Sequence, residues 1–281
     1  VCMYVCMYVC LGGFIGSASD RELWLHEKVL KWVSAVEKLS KAAIDEPQSA
    51  FIALSKSLQN EWLFIQRIID DSADALSPLK EVIQNLFLPN LCNFELNKLE
   101  IDLMFGPPRL LGLGLHNPTK VAFNLFSASK IATSCLSHSI SNNVDLNLND
   151  HATSILEARR FMRTVDDNLS CETKTLIESF PDIQKRSLLR KLNAKCSGWL
   201  TIVPSNQNQF ALAPDEFRDA IALRYGRSPV NLPKFCDADG QPFDVNHALN
   251  CPKGGLVYGR HNECRDLNCD LKLAGFNQIV L

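Results

Sequence analysis

Apolar residues recur along most of this chain with a helical period, and the breaks between periodic runs fall at Pro, Gly and Asn. In SASDRELWLHEKVLKWVSAVEKLSKAA, Leu25, Val29, Val33 and Val36 lie on one stripe. That stripe predicts a helix from about Asp20 to Ala43, opened by Ser19 and Glu22 at capping-box spacing. Glu46-Pro47 starts a second helix, with proline early, where its missing N–H costs little. Its core face reads Leu54, Leu58, Ile65 and Ile68. Ser77-Pro78 starts a third, short helix through Val82, Ile83 and Leu86, which Pro89 ends. GPPRLLGLGLHNPT, Gly106 to Thr119, has no helical period and reads as a turn region. Asn117 then caps, and Pro118 begins, a helix carrying Val121, Leu125, Ala132 and Leu136.

The polar run SISNNVDLNLNDH reads as a linker, followed by helices over Ala152–Asn168 and Pro181–Lys195. After Lys195 the texture changes. CSGWLTIVP reads as extended, and APDEFRDAIALRYG as a short helix ended by Gly226. A loop region bearing Cys and His follows, and a last helix begins near Gly259. The pattern predicts a mainly α fold: a multi-helix body, then a small loop-rich, zinc-knuckle-like module and a C-terminal helix.

Composition changes this picture at the N-terminus. VCMYVCMYVC repeats a four-residue unit two and a half times, and no motif-length repeat recurs afterwards. The tetranucleotide GTAT read in threes gives GTA, TGT, ATG and TAT, which encode Val, Cys, Met and Tyr in that order. Residues 1–10 therefore read as a translated simple-sequence repeat without selected function, and a buried β-strand is the bland alternative. This opening, with LGGFIG, is short of the ~20 residues of a spanning helix and lacks a signal peptide's basic start. Three of the 11 cysteines belong to the repeat, and the other eight form no dense disulfide framework, which points to a reducing, intracellular setting. A net charge of −2 excludes a uniformly basic nucleic-acid coat but not local basic patches.

Three constellations carry candidate chemistry. In CDADGQPFDVNHALNC, Cys236, Asp239, His247 and Cys251 have the order and spacing of a four-ligand zinc knuckle, with Gly240 letting the loop close. Asp239 stands where a cysteine is expected and offers a harder donor than thiolate, so the site reads as marginal for zinc. The alternative is a metal-free remnant packed through Phe243 and Leu249. In GRHNECRD, Arg260, His261, Asn262 and Arg265 form a polar run on a helical turn, suited to phosphate or to a solvated face. No acid occurs between Ile183 and Pro214, while Lys185, Arg186, Arg190, Lys191 and Lys195 do. With Leu188, Leu189 and Leu192 facing inward, they form a basic strip that fits phosphate contact or an ordinary solvated face. Asp70-Asp71 and Asp166-Asp167 are carboxylate pairs, but each ends a helical run and neither lies in a catalytic setting. No catalytic residue is assigned.

In order along the chain, these stretches resemble the C-terminal part of a non-LTR retrotransposon polyprotein of the lineage with a restriction-like endonuclease. LGGFIGS looks like the strand and turn closing the polymerase palm, and KWVSAVEKLSKAAIDEPQSAFIALSKSLQNEWLFIQR is similar to the thumb. GPPRLLGLGLHNPTK matches a Gly-Leu-Gly turn, with Leu111 where a glycine is usual. GWLTIVPSNQNQFALAPDEFRDAIALRYG and HALNCPKGGLVYGRHNECRD match the stretch before the knuckle, the knuckle's end and the Arg-His-Asn motif opening the nuclease.

The resemblance implies a division into 1–10, the repeat; 11–140, palm end and thumb; 141–195, linker helices; 196–258, pre-knuckle and knuckle; and 259–281, the start of the nuclease. It also implies retroelement RNA and target DNA as partners, no membrane, and nuclear action. The Tyr-x-Asp-Asp polymerase strand and the nuclease carboxylates, which would hold magnesium in the complete enzyme, do not occur in these 281 residues. The expectation is a fragment truncated at both ends, able to bind nucleic acid and catalytically inert alone. A helical interaction protein with a vestigial knuckle and no nucleic-acid role is the alternative.

Overall fold

A computed structural model describes residues 8–10, 12–194, 197–208, 210–253 and 256–277. The chain is mainly α-helical, as the periodicity predicts. It divides into two compact units, Val1–Arg227 and Ser228–Leu281.

The first unit opens with an antiparallel pair, β1 (Tyr8–Cys10) and β2 (Gly13–Ile15), with Cys10 opposite Gly13 and Gly12 left-handed at φ +83°. Residues 1–7 of the repeat lie outside the described residues. Helix α1 (Ala18–Asp45) is capped by Ser17 rather than Ser19, the Ser17 Oγ accepting the Asp20 N–H at 3.2 Å. Helices α2 (Pro47–Ile52) and α3 (Gln59–Ile68) are joined by a π-helical segment, Ala53–Leu58. The same device recurs between α4 (Ser77–Val82) and α5 (Leu88–Cys92), through Ile83–Phe87.

The core face departs from the expected stripe beside these segments. Leu54 and Ile65 are buried as expected, but Ile68, the last residue of α3, is 42% exposed while Ile69, in extended backbone just past it, is buried. In the second segment Leu86 is 38% exposed while Phe87 and Leu88 are buried. Pro89 does not end the third helix. It falls in the first turn of α5, where the absent N–H is tolerated.

Helix α6 (Lys98–Met104), which the apolar pattern does not announce, opens on a capping box between Asn97 and Glu100. A turn region follows in which Gly112 lies so close to Gly106 that a Cβ would fall 2.1 Å from its carbonyl oxygen. Leu111, at φ +68°, adopts the left-handed backbone that favours glycine, and is held by complete burial.

Helices α7 (Pro118–Asn142) and α8 (Leu148–Glu178) pack as an antiparallel hairpin. The expected linker is mostly absorbed into them, leaving only a short turn at Asn143, which takes φ +51°. Helix α8 also runs ten residues past the expected Asn168. Helix α9 (Asp182–Ala194) and a 3-10 turn, Gly198–Thr201, follow; the latter stands where an extended run was expected. Helix α10 (Pro214–Arg224) completes this unit.

One core joins α1 to α10, centred on Trp32, Phe51, Trp62, Phe87, Phe217 and Tyr225. The residues after 196 are therefore part of the helical body up to Arg227, not of a separate pre-knuckle module. Buried polar side chains tie them in. The Gln48 amide donates to Phe210 O at 3.0 Å and accepts from Leu212 N at 2.8 Å. Arg224 donates to Ser197 Oγ, Pro108 O and Gly112 O at 2.8, 2.9 and 3.1 Å, and Tyr225 Oη to Leu111 O at 2.9 Å.

The second unit holds an isolated bridge between Phe235 and Pro242, the one-turn helix α11 (Val245–Asn250) and α12 (Leu256–Asn277). Among the described residues no helix is long and apolar enough to cross a membrane.

Candidate metal centre

The chain around Cys236 turns back on itself. Cys236 N–H donates to Gln241 O and Gly240 N–H to Cys236 O, both at 2.8 Å, and Phe243 N–H donates to Lys234 O at 3.0 Å. Gly240 sits at φ +72°, which an L side chain adopts only with strain. This turn aims Cys236 and Asp239 to one side. Asp244 then caps α11, its Oδ1 accepting the His247 N–H at 2.6 Å. His247 and Cys251 are four residues apart and so share a face of that single turn, closed by Cys251 N–H donating to His247 O at 2.7 Å.

The four side chains converge, with one donor atom from each lying within 4.8 Å of all the others. Cys236 Sγ and Cys251 Sγ are 3.8 Å apart, Cys251 Sγ and Asp239 Oδ2 3.7 Å, and His247 Nε2 and Asp239 Oδ1 3.3 Å. A tetrahedral ion with bonds of about 2.3 Å to sulfur and about 2.05 Å to nitrogen or oxygen has edges of about 3.8, 3.6 and 3.3 Å for these three pairs. His247 Nε2 is buried without a hydrogen-bond partner. A neutral imidazole lone pair facing a carboxylate at 3.3 Å is repulsive unless a cation or a proton lies between them. The cluster can hold a metal ion.

Its electrostatics suit that role. The Gln241 backbone N–H, followed by the neighbouring thiols and His247, outweighs burial and holds the Asp239 carboxyl below its ordinary value. The Ala238 and Asp239 backbone N–H groups pull the Cys236 thiol down, but burial with Cys251 and Asp239 beside it leaves it raised. Coordination would draw the proton from such a thiol. Phe243 packs edge-on to the His247 ring at 5.9 Å, whereas Leu249 is exposed and packs no core. Asp244 was not singled out from the sequence; an acid three residues before a ligating His is the capping signal that marks it.

The other candidates are dispersed. On α9, Lys185 is held by Glu178 and Asp182, both at 3.4 Å, and these acids raise its pKa. Lys191 turns back to Ser187 Oγ at 2.8 Å and to Leu223 O at the end of α10. Arg186 and Arg190 are exposed, and Lys195 lies outside the described residues. Arg260, His261, Asn262 and Arg265 are exposed along α12, with Arg265 bonded to Asp266 at 2.8 Å. Cys92, by contrast, is an inert core thiol, pushed up to about 12 by burial. Comparison of the chain with protein-family models, curated proteins and solved structures finds no match.

Proposed function

We propose that this chain is the nucleic-acid-holding part of a retrotransposon reverse transcriptase/endonuclease. In this reading a thumb-and-linker-like helical body is coupled to a zinc knuckle, and polymerase and nuclease chemistry belong to centres that these residues do not build. The observation that carries the reading is the convergence of Cys236, Asp239, His247 and Cys251 at the edge lengths of a zinc tetrahedron, in the order and spacing of a knuckle. Two thiolates, one imidazole and one carboxylate favour zinc over magnesium or calcium, which prefer all-oxygen sites. Bound zinc would fix the loop and orient its flanks; no chemical step passes through it.

Arg186 and Arg190 on α9, and Arg260 and Arg265 on α12, supply exposed cations for phosphate contact. RNA and target DNA are the partners, and the nucleus the compartment, that the resemblance brings with it.

The test is zinc-dependent binding by the full chain to a labelled 20-nucleotide RNA and a 20-base-pair DNA duplex, read by fluorescence anisotropy. The expected result is salt-sensitive binding that weakens on chelation and in Cys251→Ser. Competition with a zinc chelator should show Cys251→Ser losing at least roughly tenfold in zinc affinity. Zinc-loaded protein that binds neither nucleic acid in low salt would sink the proposal.

A further inference from the structure

Helix α8 carries Arg159, Arg163, Asp166, Ser170 and Lys174 on one face, because steps of four, three, four and four residues keep within a narrow arc of a helix turning 100° per residue. This face borders two open grooves. One, of about 550 Å³, runs between α7 and α8, with Ala128, Ala132, Ala158 and Met162 in its lining and Arg159 and Arg163 beside them. The other, of about 770 Å³, is lined by Ser170 and Lys174 of α8 together with Arg109 from the Pro-rich turn and Ser197. The single acid of the face, Asp166, lines the first groove and is bonded by Arg109, which lines the second. That pair neutralises the carboxylate and links the grooves into one track. Asp167 lines neither. Arg159, Arg163 and Lys174 are exposed and have no ion pair among the described residues. From Arg159 to Lys174 the track spans about 22 Å, at 1.5 Å per residue.

We propose that this face of α8 binds the phosphodiester backbone of a single nucleic-acid strand. The inference deepens, and rests on, the reading of this chain as nucleic-acid-binding. Unpaired cations in a concave track with its acid already neutralised suit a polyanion. The lining selects one strand. A duplex would present only sugar and phosphate to the groove between α7 and α8, whereas a single strand can turn its base faces onto the apolar lining of Ala128, Ala132, Ala158 and Met162. The apolar lining of the first groove receives base faces, against which the Arg159 and Arg163 guanidinium planes can stack. RNA and single-stranded DNA share this chemistry and differ in the 2′-hydroxyl.

The experiment uses zinc-loaded full chain, labelled 20-nucleotide oligouridylate and oligothymidylate, and a 20-base-pair duplex, over a salt series. The variant is Arg159→Gln/Arg163→Gln/Lys174→Gln, all at exposed positions, with folding checked by circular dichroism. Lys31→Gln/Lys38→Gln/Lys41→Gln on α1 removes the same charge elsewhere. The α8 variant should bind single strands at least roughly tenfold more weakly. Its log–log salt slope should shrink by about 2, from three lost contacts at about 0.7 each. The α1 variant should stay within about twofold of wild type. The relative affinity for oligouridylate and oligothymidylate tells which strand is preferred. Equal losses in both variants, an unchanged slope in the α8 variant, or tighter binding of duplex than of either strand would overturn the assignment while leaving nucleic-acid binding itself intact. Wild-type protein that binds none of the three probes would overturn the functional reading and this site together.

Discussion

The helical body up to Arg227 and the module from Ser228 are held by different physics. In the body, large apolar side chains from ten helices share one core, and Trp62, Phe51, Phe87 and Phe217 are fully buried. In the module, the only buried residues among those described are Cys236 and Cys251, and Tyr258 and Leu267 stand in solvent. A segment this small cannot remove enough apolar surface from water to offset the entropy of ordering it. The thiol, imidazole and carboxylate cluster occupies the place a core would have, and a structural metal is the staple such modules use. A body of this kind tolerates the loss of one contact, whereas a four-ligand cluster has no redundancy.

The largest expected effect separates the two units. Chelation of zinc should expose residues 236–251 to protease at least roughly tenfold faster while leaving the thermal transition of the body in place. Simultaneous loss of both would mean that the body also depends on the metal. Next is Glu100, the body's own polar staple. It is buried, and its carboxylate accepts from Arg227 Nε and Nη2 at 2.6 Å each, from Asn97 N at 3.0 Å and from Gln184 Nε2 at 3.1 Å. Glu100→Gln should destabilise the body by about 3 kcal/mol, read from denaturant midpoints, and leave zinc affinity unchanged.

The pH dependence of that difference gives a sharper test. Burial pushes the Glu100 carboxyl up, but Arg227, the Asn97 N–H and Gln184 outweigh it and hold its pKa below 4.5. A lowered folded-state pKa contributes stability that is present above the unfolded value and lost as pH falls through the folded one. The gap between wild type and Glu100→Gln should therefore be full at pH 7 and close below about pH 4.5. A gap that stays constant down to pH 3 would show that Glu100 acts through packing alone. The smallest effect is a gain: Asp239→Cys replaces the hard donor by thiolate and should raise zinc affinity about tenfold in chelator competition. No gain would mean that the four positions do not form one coordination sphere.

The sequence alone determined the helical class, because apolar period is a local property written in residues such as Leu25, Val29 and Val36. It also determined the four cluster residues, since a turn glycine and an i,i+4 pair set ligand direction within 16 positions. Local signals failed where backbone phase or distant partners decide. Nothing in the apolar pattern announced the two π segments, or the burial of Ile69 and Phe87 in place of Ile68 and Leu86, which tertiary packing decides. The stretch after 196 looked like the start of a new module, yet Gln48 and Arg224 bind it to carbonyls and amides across the body.

The charges on α9 and α8 show the same division. Lys185 is held by acids three and seven residues away, whereas Lys191 meets the Leu223 carbonyl, and Asp166 on α8 is neutralised by Arg109 from 57 residues away, only because the chain folds. Charge along a chain is fixed by sequence. Which charges remain free to meet a partner is decided by the tertiary structure, because Coulomb partners are chosen by distance in space.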